Sequence, residues 1–462
     1  MGWARSASPL RAAGPTLTDE RPEAPSPLRR RGPRPLLLHL TLAMLRSSAS
    51  IAASSGWSSA WPSSRANPGR AAEALAEALA AASAHPFGSA HPFTGAHPFT
   101  GAESFSAAVL QETLRQDRAL LAGIAAYRRH SYQRTLADPP TCWQEGGTRL
   151  LDFGGEGPLV LVVPSLVNRA YVLDLAPGHS LLRDLAANGL HPLLLDWGWP
   201  GEVERDFTLT DYVAGRLERA LVAVEGFAAG GGAIGGKISV VGYCMGGLLA
   251  LAAAQRRPDR VQALALLATP WDFHAADPAQ AAALARLLPL FEPALALGGT
   301  LPIDLLQTLF ALLDPFGVSD KYRAFARLNP DTPRAHLFVA LEDWLNDGVP
   351  LAAPVARETL EGWYGANTPA HGAWRIAGLP VRPESLRLPT FVAVPARDRI
   401  VPPESARPLA AALPGAVLHQ PPAGHVGMVA GHTASAVLWR PLAEWLRQVS
   451  AAPAAPRARR RR

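Results

Sequence analysis

The chain has 462 residues, 48% of them hydrophobic, enough for one large α/β domain with an insertion. The formal net charge is +6, but residues 1–70 hold ten arginines against Asp19, Glu20 and Glu23, and 451–462 add five, so the ends carry +12 and the middle −6. The basic character belongs to the tails, which argues against a nucleic-acid-binding face, and two cysteines, Cys142 and Cys244, exclude a disulfide framework or a cysteine-based zinc site.

Residues 1–34 are rich in Arg, Pro, Ser and Ala and show no periodicity, so they are expected to be disordered. Leu36 to Leu45 form a ten-residue apolar run behind Arg29, Arg30 and Arg31. The basic stretch before it is too long for a signal peptide, and no clean cleavage site follows. A short helix lying on the domain, or on a granule or membrane surface, fits better. No unbroken run of 18 apolar residues exists, so no transmembrane helix is expected. Residues 1–70 together read as a disordered or weakly ordered basic region that could be deleted with little loss of activity. Residues 71–84 read as an Ala/Leu/Glu helix. His85-Pro86-Phe87, His91-Pro92-Phe93 and His97-Pro98-Phe99 follow at six-residue spacing. Proline after each histidine and the flanking glycines favour an extended linker over a metal site, closing a 71–104 segment. Leu110, Leu114, Leu121 and Ile124 then trace one helical face leading to Tyr127.

From residue 105 to 273 strands and helices alternate. Arg149 to Phe153, a Gly-Gly-Glu-Gly turn and Leu159 to Val163 read as a hairpin entering a sheet. Leu181 to Ala187 is helical, His191 to Leu195 a strand, Asp211 to Val224 a crossover helix, and Gln262 to Leu267 a further strand. Residues 274–386 break the alternation. They are helical and rich in Leu, Ala, Pro and Trp, the pattern of a cap inserted over a site. Residues 387–450 resume the core with strands at Thr390 to Val394 and Ala416 to His419 and a helix over 436–449. Residues 451–462 form an Ala/Pro/Arg tail expected to be disordered. The alternation implies an α/β class with a mostly parallel, doubly wound sheet.

The chemistry centres on Ile238 to Val241, a short β-branched strand, followed by Gly242-Tyr243-Cys244-Met245-Gly246-Gly247 and a Leu/Ala-rich helix. A lone cysteine is usually a buried structural residue. Here a strand, Gly-x-Cys-x-Gly and a helix occur in order, which resembles the nucleophile elbow of the α/β-hydrolases with sulfur in place of oxygen. The Met245 amide would point at the reacting carbonyl, and the loop Pro164-Ser165-Leu166-Val167-Asn168 would supply a second oxyanion donor, the Leu166 N–H. Asp398 and His425 each follow a strand, where a parallel sheet places functional residues, and Cys, Asp, His is the chain order this fold uses. A free thiol has pKa about 8.5, so an imidazole must take its proton, and a carboxylate on the far ring nitrogen fixes the tautomer. His432 and Asp272 compete for the same two roles.

Several further segments extend the likeness. Val163 to Arg169, Tyr171 to Leu175, Asp196-Trp197-Gly198-Trp199-Pro200, Leu209-Thr210-Asp211-Tyr212, Asp398 to Pro402 and Gly424-His425 resemble, with the cysteine box, the polyhydroxyalkanoate synthases over roughly residues 130–450. The Trp-Gly-Trp segment is most similar to members that work with a partner subunit. Two positions depart: Leu248 stands where the family usually has Thr, and Pro164-Ser165-Leu166 replaces Pro-Pro-Trp. The resemblance implies an α/β-hydrolase fold and an acyltransferase polymerising (R)-3-hydroxyacyl-CoA. Cys244 would hold the acyl group, His425 would deprotonate Cys244, and Asp398 would assist His425 or the substrate hydroxyl. It implies an acyl-CoA thioester as substrate, and a granule surface, a second copy or a partner subunit as partners. It implies no cofactor or metal and a cytoplasmic location. Two other readings share the residues: a thioesterase, esterase or polyester depolymerase with water as acceptor, and a non-catalytic granule-associated protein.

Overall fold

In the computed structural model, residues 30–60, 101–231 and 237–451 are described. The expected disorder of 1–29, the 71–84 helix, the His-Pro-Phe repeats and the tail from 452 onward lie outside these residues.

Eight strands make the central sheet: β1 (Thr141–Glu145), β2 (Thr148–Asp152), β3 (Leu159–Val163), β4 (His191–Asp196), β5 (Ile238–Tyr243), β6 (Val261–Leu267), β7 (Thr390–Ala393) and β8 (Val417–His419). Their spatial order is β1-β2-β4-β3-β5-β6-β7-β8. From β4 to β8 every pairing is parallel; β1 and β2 are antiparallel to their neighbours. Strands β3 and β5 are buried along their whole length. That follows from sequences that are apolar rather than alternating, as expected for strands covered on both faces. One apolar cluster fills the side of the sheet that carries Leu248, and a second fills the side that carries Val241 and Trp445.

The expected hairpin of β2 with β3 does not form. β2 pairs with β1 through the Gly146-Gly147 turn, and on its other edge with β4. β3 lies one strand further in, between β4 and β5. The fully apolar β3 needs cover on both faces, and the sheet interior provides it; the mixed β1 takes the edge.

The N-terminal region is more ordered than the sequence implied. Residues Leu36–Ala60 form helix α1, which packs on α2 (Gly101–Arg129). Ahead of α1, the Arg30 guanidinium grips both carboxylate oxygens of Asp343 at 2.6 Å and donates to the carbonyls of His130 and Tyr132 at 2.5 Å. Residues 30–60 are therefore part of the folded body, and the expected weakly ordered 1–70 unit divides. The predicted face of α2 is also rotated. Leu110, Leu114 and Leu121 are exposed, whereas Leu120, Ile124 and Tyr127 are buried. The deciding contact is Gly123, where a Cβ would collide with the Tyr322 carbonyl, so the helices approach too closely there for any side chain.

By length and mean hydropathy, Leu36–Ser54 and Pro278–Gly298 could each cross a membrane, against the expectation from unbroken apolar runs; 11% and 28% of those windows are buried. The second stretch is two helices, Pro278–Ala285 and Leu288–Gly298.

Between β6 and β7 the chain builds helices Pro278–Ala285, Leu288–Gly298, Ile303–Leu313, Gly317–Phe325 and Pro333–Asn346, then shorter turns to Gly365. Phe291, Leu295, Leu301, Leu306, Leu360 and Trp363 join the apolar cluster that contains the helix after β5.

Candidate active site

Parallel register brings the carboxyl ends of four strands level. Val163 pairs with Gly242, Tyr243 with Leu267, and Leu267 with Ala393. The loops that leave these ends carry Ser165, Cys244, Thr269 and Asp398, so residues distant in the chain meet on one edge.

Cys244 caps helix Met245–Arg256 and sits at φ 56°, ψ −127°. That conformation is strained for a side-chain-bearing residue and persists only because its surroundings enforce it. Its N–H donates to Leu267 O at 2.8 Å, and its carbonyl accepts from Gly247 N at 2.9 Å. The glycines leave no room for a methyl group. A Cβ on Gly242 would strike Gly247, one on Gly246 would strike the Val163 and Pro164 carbonyls, and one on Gly247 would strike Thr269. The elbow is thus held by backbone pressed against backbone at Gly242 and Gly246 and against the Thr269 side chain at Gly247.

His425 and Asp398 meet behind it. The imidazole Nδ1 lies 2.7 Å from Asp398 Oδ2, and both residues are buried, at 8% and 4% exposure. The other carboxylate oxygen accepts from the Ile400 and Val401 amides at 2.8 and 2.9 Å. Asp398 is thereby fixed as an acceptor, and Nδ1 carries the hydrogen. Burial alone would lower the His425 pKa. The charges of Cys244 and Asp398, with hydrogen bonds to each, outweigh it and push the value up to about 10. The Tyr243 hydroxyl donates to the His425 carbonyl at 3.3 Å, and its ring lies 5.2 Å from the imidazole.

The competitors are engaged differently, although Asp272 lines the same cavity as Cys244. Asp272 accepts from Asn367 Nδ2 at 2.8 Å and from the His274 N–H at 2.9 Å. His432 is exposed. Cys142, on edge strand β1, donates to the Leu150 carbonyl at 3.3 Å, and burial pushes its thiol up to about 11.

Met245 lines the cavity in front of Cys244, as do Ser165 and Val167 on either side of the buried Leu166. The loop is pinned by Trp197 Nε1 donating to the Pro164 carbonyl at 3.0 Å and by the Val167 amide donating to Ser165 Oγ at 3.0 Å. The Val167 N–H is thus already engaged.

The cavity has a volume of about 570 Å³ and reaches well beyond the catalytic corner. Its walls include Phe273, Trp363 and Tyr364, which pack at centroid distances of 5.0 to 5.5 Å, and Pro33, Arg34 and His39 from the N-terminal segment. Sequence reasoning did not find this N-terminal wall or the aromatic cluster; no motif marks them, because each depends on packing. Among the described residues no group of three His, Cys, Asp or Glu side chains is placed to hold a metal ion.

The family model for the alpha/beta hydrolase fold matches residues 158–431. The poly(3-hydroxyalkanoate) polymerase subunit PhaC of Synechocystis is 30% identical over 305 residues, covering 63% of this chain and 79% of that one. The chain belongs to the polyhydroxyalkanoate polymerase group of the alpha/beta hydrolase fold family. Another such subunit, from Allochromatium vinosum, is 28% identical over 292 residues, covering 63% of this chain and 80% of its own. That of Haloferax mediterranei is 28% identical over 298 residues, and there the match spans 59% of the relative's length. The family model covers the strand ends carrying Cys244, Asp398 and His425; residues 30–60 fall outside it.

Proposed function

We propose that this protein is an acyltransferase that polymerises (R)-3-hydroxyacyl groups from their CoA thioesters. The observation that carries the reading is the sulfur at the elbow, backed by an imidazole whose Nδ1 is held by Asp398 at 2.7 Å. The PhaC names of the relatives support the substrate class.

The steps follow from these residues. Cys244, as thiolate beside the His425 imidazolium, attacks the thioester carbonyl. The amides of Met245 and Leu166 take up the oxyanion, each such donor contributing about 3 kcal/mol. The intermediate collapses with cleavage of the bond to CoA, and His425 gives its proton to the departing thiolate. Exchange of one thioester for another is nearly isoenergetic, so loading is reversible. The neutral imidazole then takes the proton of an incoming hydroxyl, the alkoxide attacks the Cys244 acyl group, and an ester forms as the thiolate departs. Asp398 keeps Nδ1 protonated throughout. The aromatic wall disfavours water as acceptor.

The two-cysteine composition suits a reducing, cytoplasmic setting, and a granule surface, a second copy or a partner subunit are the partners in this reading. The test is incubation of the full-length chain with 3-hydroxybutyryl-CoA while following CoA and product. CoA release with polymer supports the proposal. CoA release with free hydroxy acid makes the protein a thioesterase. No CoA release, unchanged by Cys244→Ala, makes it non-catalytic.

A further inference from the structure

One carboxylate on the cavity has no part in the steps above. Asp272 is half-buried and lines the cavity together with Cys244 and His425. Its loop leaves the sheet beside the sulfur: Leu267, the last residue of β6, pairs with Tyr243, and its carbonyl accepts from the Cys244 N–H. The backbone is fixed there, because the Trp271 and Asp272 amides both donate to the Ser405 carbonyl, at 3.1 and 3.0 Å. The side chain is fixed as well. Oδ1 accepts from the His274 N–H at 2.9 Å and from Asn367 Nδ2 at 2.8 Å. Asn367 is itself 3% exposed and sits at φ 49°, and its Oδ1 accepts from the Phe273 N–H at 3.0 Å. A left-handed residue other than glycine is uncommon and persists where its surroundings enforce it. Both donors go to Oδ1. Oδ2 meets no donor among the described residues, yet it is not one of the sealed, unpaired polar atoms of this fold; it keeps accessible surface. The other carboxylates on this cavity are engaged or outside. Glu342 pairs with Lys321 at 2.6 Å, Asp314 with Arg399 at 3.2 Å, and Asp277 is exposed and caps the Gln280 amide at 2.9 Å. Asp272 has no cation partner among the described residues, and the aromatic wall of Phe273, Trp363 and Tyr364 starts at the next residue. A carboxylate oxygen can only accept, and next to apolar walls it favours a donor strongly.

We infer that Asp272 Oδ2 accepts a hydrogen bond from the 3-hydroxyl of the acyl thioester in the cavity and so selects hydroxyacyl over plain acyl substrates. The role is recognition, with no proton transferred; His425 remains the base. A site built to bond a substrate hydroxyl rejects the analogue that lacks it, because its own polar group is then left unpaired. Orientation through Asn367 and His274 holds the free oxygen toward the cavity before substrate arrives, so little ordering is needed on binding. The inference rests on the acyl-thioester reading and adds to it the group that reads the hydroxyl.

The test uses the full-length chain with Cys244→Ala to block turnover. Dissociation constants are measured by calorimetry for (R)-3-hydroxybutyryl-CoA, butyryl-CoA and free CoA. The parent should bind the hydroxyacyl thioester at least about tenfold more tightly than butyryl-CoA, the effect of one hydrogen bond to a charged acceptor. Adding Asp272→Ala should abolish that preference by weakening the hydroxyacyl thioester alone. Asp272→Asn keeps the shape: its oxygen takes the two internal bonds and its NH2 faces the cavity. It should remove most of the preference too, and it carries the test if the alanine variant does not fold. A parent without the preference, or a preference that survives both substitutions, overturns the proposal. Equal weakening of both thioesters would make Asp272 a merely structural residue, and a loss that extends to free CoA would move the donor to the carrier; each overturns it as well. A parent protein that binds neither thioester instead defeats the acyl-thioester reading.

Discussion

The elbow and the N-terminal strap both border the cavity, yet different forces hold them. At the elbow, main chain presses on main chain at Gly242 and Gly246, and on the Thr269 side chain at Gly247. Gly242, Gly246 and Gly247 meet neighbours without room for one methyl group, and Cys244 is forced to φ 56°. At the strap, side chains carry the attachment. Arg30 bridges Asp343 and two carbonyls, Arg34 pairs with Asp304, and much of α1 faces outward, with Leu37 at 79% exposure. Backbone packing gives the positional accuracy a nucleophile needs. Side-chain tethers place a wall, where the tolerance is looser.

This contrast can be broken most sharply at the nucleophile. Cys244→Ala should lower turnover of 3-hydroxybutyryl-CoA at least about 10³-fold, because no other group supplies the covalent step. Next, Asp398→Asn should slow turnover about 10²–10⁴-fold with little change in KM, since the His425 tautomer is lost. Equal activity in either variant would remove the corner from the chemistry.

Stability effects separate the two regions. Gly247→Ala should destabilise the fold by roughly 1–3 kcal/mol in urea unfolding, from overpacking against Thr269. Arg30→Ala removes charge-assisted bonds to the Asp343 carboxylate from a side chain only 12% exposed and should cost about 2 kcal/mol. Deletion of residues 1–60 should act in the same direction and perturb substrate binding, contrary to the reading of 1–70 as dispensable. A deletion with unchanged melting and unchanged KM would show that the strap is not a wall.

A further test of the corner concerns pH. The His425 pKa is raised in the folded state, to about 10, above the ordinary value of about 6.5. Its contribution to stability is fully present below about pH 6.5 and is lost as pH rises through the folded value. Unfolding free energies of wild type and His425→Gln should therefore converge between pH 6.5 and 10. A constant difference across that range would contradict the pairing. Cys142→Ala, on the edge strand, should leave turnover within about twofold, since its thiol donates to the Leu150 carbonyl, away from the catalytic corner.

What was legible in the chain is what local chemistry dictates. A fully apolar β3 and a largely apolar β5 announce a covered parallel sheet, and glycines around a cysteine announce a bend that admits no side chains. Strand-end Asp398 and His425 follow from the order in which such a sheet is threaded. Other features stayed hidden because they depend on which surfaces meet. β2 turned away from β3 because burial on two faces outweighed proximity in sequence. The buried side of α2 was set by Gly123 against Tyr322, where helical periodicity alone selected the wrong leucines. The strap reads in sequence as a short apolar helix behind a disordered basic segment; its anchoring stayed hidden until Asp343, 313 residues away, supplied the partner for Arg30. Composition and spacing report short-range preference; contacts between distant segments form only when the whole chain is packed, and these built the cavity around the sulfur.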